Sequence, residues 1–183
     1  WYRIGTMYLQ GVGTEADEKE AEKYLRKSAD YGNTHAAYQL AKLYIRQETE
    51  KLKSNPEEIP DYEKIKQALK WLEVASRQGN SFADYALGKL SADGELTAKD
   101  MEKAFHHLHK AADADNAFSC YRLGRLYLAD EYKDISRAVH YLTLAAKQKT
   151  EFALYRLGKL YLAGVEEAKN VELAIRYREE SAC

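Results

Sequence analysis

Residue types that do chemistry are sparse in this chain, and few of them are gathered. The densest cluster is His106-His107-Leu108-His109. Residues three apart share a helix face, so His106 and His109 have the spacing to chelate a metal if the stretch is helical. A metal centre needs further donors, and no acidic or cysteine partner has a forced position beside this pair. His107 points to a different face. The cluster therefore reads as surface and core histidines. Cys120 and Cys183 are too few for a disulfide framework and read as two reduced thiols. Gly11-Val12-Gly13 is a loop between elements. No phosphate-cradling Gly-rich motif, no His-Glu-x-x-His and no Cys pair at zinc spacing occurs. The chain is expected to have no cofactor, no metal and no catalytic residue.

Cations and aromatics offer a different chemistry, and they recur in columns. The first column is His35, Phe82, Phe118 and Phe152. The second is Arg3, Gln39, Ala86, Arg122 and Arg156; the third is Thr6, Lys42, Lys89, Arg125 and Lys159. Arginine and aromatic side chains dominate interface energies, and long basic side chains pair an acidic segment or a C-terminal carboxylate. The candidate partner-binding residues are Lys42, Phe82, Lys89, Phe118, Arg122, Arg125, Phe152, Arg156 and Lys159. The competing reading packs the phenylalanines between successive repeats and leaves the basic ladder solvated. In that reading Glu131 or Asp134 neutralises the ladder.

These columns exist because one stretch occurs five times. It is Tyr155-Arg156-Leu157-Gly158-Lys159-Leu160-Tyr161-Leu162, with copies starting at Tyr2, Tyr38, Tyr85 and Tyr121. The steps between leading tyrosines are 36, 47, 36 and 34 residues. Periods in that range mark a repeat array. Each repeat reads as two helices, A then B. In helix A of repeat 2, Ala36, Leu40, Ala41, Leu43 and Tyr44 fall on one stripe. The recurring Gly5, Ala41, Gly88, Gly124 and Gly158 sit mid-helix, where glycine costs about 1 kcal/mol against alanine. Close approach of another helix is the reason expected; alanine should be tolerated there and bulk rejected. Asp17, Asp100, Asp134 and Asn170 are expected N-caps of helix B. Helix B then buries an alanine, an aromatic three later (Tyr24, Trp71, Tyr141, Tyr177) and a leucine such as Leu25, Leu72, Leu108 or Leu142. Gly32-Asn33, Gly79-Asn80 and Asp115-Asn116 end it.

This pattern resembles the Sel1-like repeat, a relative of the tetratricopeptide repeat, over nearly the whole chain. The repeats run approximately 1–33, 34–80, 81–116, 117–149 and 150–183, as a single array. Departures are His107 in the aromatic slot, Ser91 for Tyr, Arg178 for Leu, and Ala129-Asp130-Glu131 where other repeats have a glycine loop. The resemblance implies an all-α, right-handed α-α superhelix that scaffolds protein complexes, with helices A lining a concave groove. Repeat 2 holds an insertion at 46–61 with both prolines, Pro56 and Pro60. Helix A is expected to run on through Lys53, to stop at Asn55-Pro56, and to leave Asp61 as the cap of helix B.

The bulk numbers narrow the partner. With 28 Lys plus Arg against 29 Asp plus Glu, the net charge is −1. That balance exerts no general pull on nucleic acid or membrane, and no apolar run is long enough to span a bilayer. The expected partner is a protein or peptide of acidic character. The alternative is an accessory module of a DNA-mobilisation or other nucleic-acid-associated bacterial protein. The chain starts at Trp1 inside a motif and reads as a fragment of a larger protein; the cytoplasm is the favoured compartment, with the periplasm or secretion open because the fragment lacks its N-terminus.

Overall fold

Helix boundaries fall where the Asp, Asn and Gly residues require them. The computed structural model describes residues 1–164, and the described residues hold helices, turns and loops. Among them are nine α-helices: α1 (Tyr2–Gln10), α2 (Glu18–Asp30), α3 (Thr34–Ser54), α4 (Tyr62–Arg77), α5 (Ser81–Asp93), α6 (Met101–Asp113), α7 (Ala117–Leu126), α8 (Ile135–Lys147) and α9 (Glu151–Leu162). A single 3-10 turn spans Asp130–Tyr132. Odd numbers are helices A and even numbers helices B, an all-α repeat architecture. The tenth helix expected from the sequence, with Asn170, Ala174, Tyr177 and Arg178, lies outside the described residues, as does Cys183.

Two devices close each repeat. Asp17, Asp61, Asp100 and Asp134 each accept a backbone N–H two or three residues on, satisfying donors that a helix start leaves unpaired. In three repeats the same Asp also donates its own amide to the seventh motif residue: Asp17 to Tyr8 at 3.0 Å, Asp100 to Ser91 at 2.9 Å, Asp134 to Tyr127 at 2.9 Å. Repeat 4 keeps this bond without a glycine loop, and the 3-10 turn makes the connection. Between helix B and the next helix A, the chain passes through the left-handed region at Gly32, Gly79, Asp115 and Lys149. The following Asn33, Asn80 and Asn116 cap the next helix A.

The chain divides into two units, Trp1–Ala104 and Phe105–Cys183, and the boundary falls within α6. In the first unit each helix packs on the next from α1 to α5. Its core holds Leu25, Leu40, Ala41, Tyr44, Leu72, Ala75 and Leu87, all buried. Burying each leucine contributes about 1.5–3 kcal/mol. In the second unit α7 packs on α8 and α8 on α9, burying Leu123, Leu142, Ala145 and Leu157. In repeat 2, α3 runs to Ser54, Asn55 stops it before Pro56, and Asp61 caps α4, as the sequence predicts. Glu48 is buried on this extension. It accepts the Asp61 amide at 2.9 Å and lies 3.8 Å from Lys64 Nζ, which ties the insertion to α4.

The motif glycines mark the contact of helix A with helix B. A Cβ on Gly5 would lie 2.8 Å from Leu25 Cγ; one on Gly124 would lie 2.6 Å from Leu142 Cγ and 3.3 Å from the Ala138 carbonyl oxygen. Close approach is thus the reason for glycine. Tolerance of alanine, expected equally at every repeat, needs correction at these two sites. Repeat 2 is built around Ala41, whereas at Gly124 even a methyl group must displace Leu142. Gly124→Ala is expected to cost about 1–3 kcal/mol despite alanine's better helix propensity, and Gly124→Leu more. Thermal melts of the two variants check this. A Gly124→Ala melting point above wild type would show that Leu142 yields freely.

Candidate interaction surface

Where a helix-A motif carries two tyrosines they point to different sides, and that division builds the surface. The second tyrosine points inward. Tyr44 is buried, its hydroxyl donates to Glu22 Oε1 at 2.8 Å, and Arg26 donates to both Glu22 and the Tyr44 hydroxyl. Burial, with Glu22 beside it, pushes the Tyr44 phenol up out of its usual range, so it remains a hydrogen-bonding group. The first tyrosine points outward, toward the next helix A. Tyr38 lies against Phe82 with ring centroids 6.1 Å apart, and Tyr121 lies against Phe152 at 6.1 Å. Tyr2 and His35 repeat the pair at 6.1 Å, with histidine in the phenylalanine position.

Phe82 and Phe152 therefore lean on the preceding repeat, and all three phenylalanines still face solvent. Phe82 is 47% exposed, Phe118 55% and Phe152 68%. Phe82 and Phe152 thus pack against the preceding repeat, as the competing reading has it, but keep much of their surface exposed. Lys42, Lys89, Arg125 and Lys159 are exposed, while Arg122 and Arg156 are half-buried. In the second unit Tyr121 collects three neighbours. Phe152 covers its ring, the Arg125 guanidinium lies 5.9 Å from its centroid, and Arg156 Nε donates to its hydroxyl at 3.3 Å. The proposed neutralising acids are engaged elsewhere. Asp134 caps α8 and pairs with Arg137 Nε at 3.3 Å, and Glu131 accepts from the Tyr132 hydroxyl. Among the nine candidates, Lys42, Phe82 and Lys89 belong to the first unit and the other six to the second.

Two cavities flank Tyr38 and Lys42 in the first unit, and neither is anticipated by the sequence reading. One, about 630 Å³ and open, is lined by Tyr2, His35, Tyr38, Gln39, Lys42 and Phe82, with the Gln78–Ser81 turn completing it. The other, about 210 Å³ and more enclosed, lies between α3 and α5, with Tyr38, Ile45, Leu72, Ala86 and Leu90 among its walls.

The histidine cluster is structural in geometry. His109 is half-buried, with Nε2 3.0 Å from the Tyr127 hydroxyl and Nδ1 2.9 Å from the Tyr141 hydroxyl. Its ring stacks on Phe105, and Arg137 reaches the Tyr127 hydroxyl at 3.4 Å. His106 is exposed, 5.1 Å edge-on from His107. Both nitrogens of His109 are thus occupied, and no His, Cys, Asp or Glu group among the described residues has metal-binding geometry. Cys120 is buried, and burial first, then Asp115, pushes its thiol up to about 11, away from the reactive thiolate form. Among the described residues no helix is long and apolar enough to cross a membrane.

Comparison with known proteins agrees with this architecture. The Sel1 repeat family profile matches residues 2–33, 59–80, 81–116, 117–149 and 152–183. Helix α3, which holds the first part of the insertion, falls outside the matched segments. A Sel1 repeat protein from Oxalobacter formigenes is similar at 28% identity with a TM-score of 0.82, over 99% of this chain and 70% of that one. The protective antigen c5321 of uropathogenic Escherichia coli, which displays an SLR fold, is similar at 25% identity with a TM-score of 0.79. That match covers 99% of this chain but only 37% of c5321, so this chain spans well under half of that relative's length.

His109 is expected to give the second unit a pH dependence. Burial first, then Arg137, holds its imidazole below the usual histidine range, against an opposing pull from Asp113. A neutral ring can accept from one tyrosine and donate to the other; a protonated ring must donate to both. A depressed folded-state value means the contribution is complete above the ordinary range near about 6.5 and is lost as pH falls through the folded value. Wild-type melting temperature is expected to fall more than that of His109→Gln between about pH 7.5 and about pH 5. Parallel pH profiles for the two proteins would contradict this role for His109.

Proposed function

The chain belongs to the Sel1 repeat family, and from that premise we propose that it is a non-enzymatic interaction scaffold that grips a peptide or protein surface with the outward face of its helices A. Proteins built from Sel1 repeats generally mediate protein–protein interaction. The observation that carries the finer reading is a constellation present in both units. An outward tyrosine is covered by an aromatic ring of the next helix A, and a cation from its own helix stands one turn along. In the first unit these are Tyr38, Phe82 and Lys42; in the second, Tyr121, Phe152 and Arg125. Half-exposed aromatics beside exposed cations supply what interface hot spots use: rigid apolar area and charge-assisted hydrogen bonds. The preferred partner is therefore acidic. Direct nucleic-acid binding is the weaker reading, because the chain's net charge is −1 and phosphate contacts require a cationic excess.

Arg125→Glu with Lys159→Glu tests this reading. Both residues are exposed, unlike the half-buried Arg122, so the fold should survive the change. Purified bait recovers the native partner from the cells that make the protein. The double variant is expected to keep wild-type helicity and lose capture by tenfold or more. Lys66→Glu with Lys70→Glu, on the helix-B side, makes the same charge change and should retain capture. Equal loss in both variants would reduce the effect to net charge. Recovery of nucleic acid with steep salt dependence would replace the protein-scaffold reading.

A further inference from the structure

The basic ladder has one gap, and the structure puts a cavity there. The second column reads Arg3, Gln39, Ala86, Arg122, Arg156, so only repeat 3 carries a small residue. Ala86 lies on α5, facing α3, and is one wall of the 210 Å³ cavity. The other repeats place a long side chain at this register. Repeat 3 places a methyl group, leaving a space walled by Tyr38, Ile45, Leu72 and Leu90. That volume matches a single aliphatic or aromatic side chain, in a chamber more enclosed than the open 630 Å³ cavity beside it.

The two cavities share Tyr38 and Lys42. They differ in charge. The apolar slot's lining includes Lys42 and Lys89 together with Asp93 and Glu95, two residues of each sign. The open cavity has Lys42 and His35 with the amides of Gln39, Gln78 and Asn80, and no carboxylate in its lining. Donors without acceptors of their own charge suit a carboxylate. An apolar slot without excess charge suits a hydrocarbon side chain, which gains by leaving water.

Resting on the interaction-scaffold reading, we infer that the first unit holds a two-part peptide site. It takes a segment in which an Asp or Glu side chain sits at Lys42, in the open cavity, and a nearby Leu-, Met- or Phe-like side chain fills the slot at Ala86. Specificity follows from the gap: the charge attracts acidic segments in general, and the slot selects those with an apolar anchor. Tyr38 stands between the two parts and Phe82 covers its ring, so both are fixed by the contact between repeats 2 and 3.

The test uses short fluorescein-labelled peptides containing a Glu-x-Leu segment, with Gln-x-Leu and Glu-x-Gly counterparts, and reads anisotropy together with chemical-shift changes in labelled protein. The Glu-x-Leu peptide is expected to bind and to shift the Lys42, Ala86 and Leu90 resonances. Each counterpart should bind at least fivefold more weakly. Ala86→Gln inserts the side chain that repeat 2 carries at this register, so the slot closes at little cost to folding. It should weaken Glu-x-Leu binding at least tenfold while leaving Glu-x-Gly binding as it was. Lys42→Glu, at an exposed lysine, should abolish binding of both acidic peptides, and it serves as the second variant should Ala86→Gln melt early. Binding indifferent to Ala86→Gln and to the Leu-to-Gly change, or shifts confined to other surfaces, would overturn the inference. If the native partner is lost with Arg125→Glu and Lys159→Glu yet retained with both Ala86→Gln and Lys42→Glu, the two-part site falls and the scaffold reading stands.

Discussion

Everything in this fold depends on the seating of a helix-B leucine against a helix-A residue with almost no side chain. Leu25 over Gly5 and Leu142 over Gly124 leave less than 3 Å for a methyl group, so the two helices are as close as their backbones allow. That closeness buries each leucine completely, and dispersion and burial together outweigh the helix propensity lost at glycine. It also sets the rotation of helix A about its own axis. With the glycine facing helix B, the first and seventh motif residues, three positions to either side, flank that contact on opposite sides; in repeat 2 the seventh, Tyr44, is buried and the first, Tyr38, is only partly so.

The surface follows from that rotation. Inward tyrosines find polar partners on helix B: Glu22 and Arg26 for Tyr44, His109 and Arg137 for Tyr127. Outward tyrosines find the next repeat's aromatic, which leaves Phe82 and Phe152 supported from one side and open on the other. An unsupported phenylalanine on a surface is an aggregation hazard, whereas one propped on a tyrosine is rigid and presents a defined face. The cations one turn further along complete a surface that costs the core nothing, because its residues occupy registers the leucine contact does not use.

Much of this was legible in the sequence because the repeat supplies five copies of each register. The caps Asp17, Asp61, Asp100 and Asp134, the stop at Asn55-Pro56 and the glycine contact were each read from residue type plus spacing. The aromatic column and basic ladder were visible as columns. Their support was not, since the Tyr38–Phe82 pair joins residues 44 positions apart through a distance that periodicity does not encode. The His109 environment was missed for the same reason: its partners are Tyr127, at the end of α7, and Tyr141 of α8. The signal that could have found the Ala86 slot was present, since it is the one small residue in a column of long ones. Only packing shows that a missing side chain leaves a cavity and not a collapsed contact. Register alone did not show how tightly Leu142 seats on Gly124, where a Cβ would lie 2.6 Å from its Cγ.

The central claim is that the outward face of helices A is where this protein meets its partner. A photo-crosslinking amino acid placed at position 152, and separately at 82, reads that face directly in the cells that make the protein. The same probe at position 70 or 147 reads the outer side of helices B, where the side chains are also exposed. The account predicts one protein species crosslinked from 82 and 152 and absent from 70 and 147. Crosslinks to that species from 70 or 147 alone would contradict it and move the functional surface to helices B.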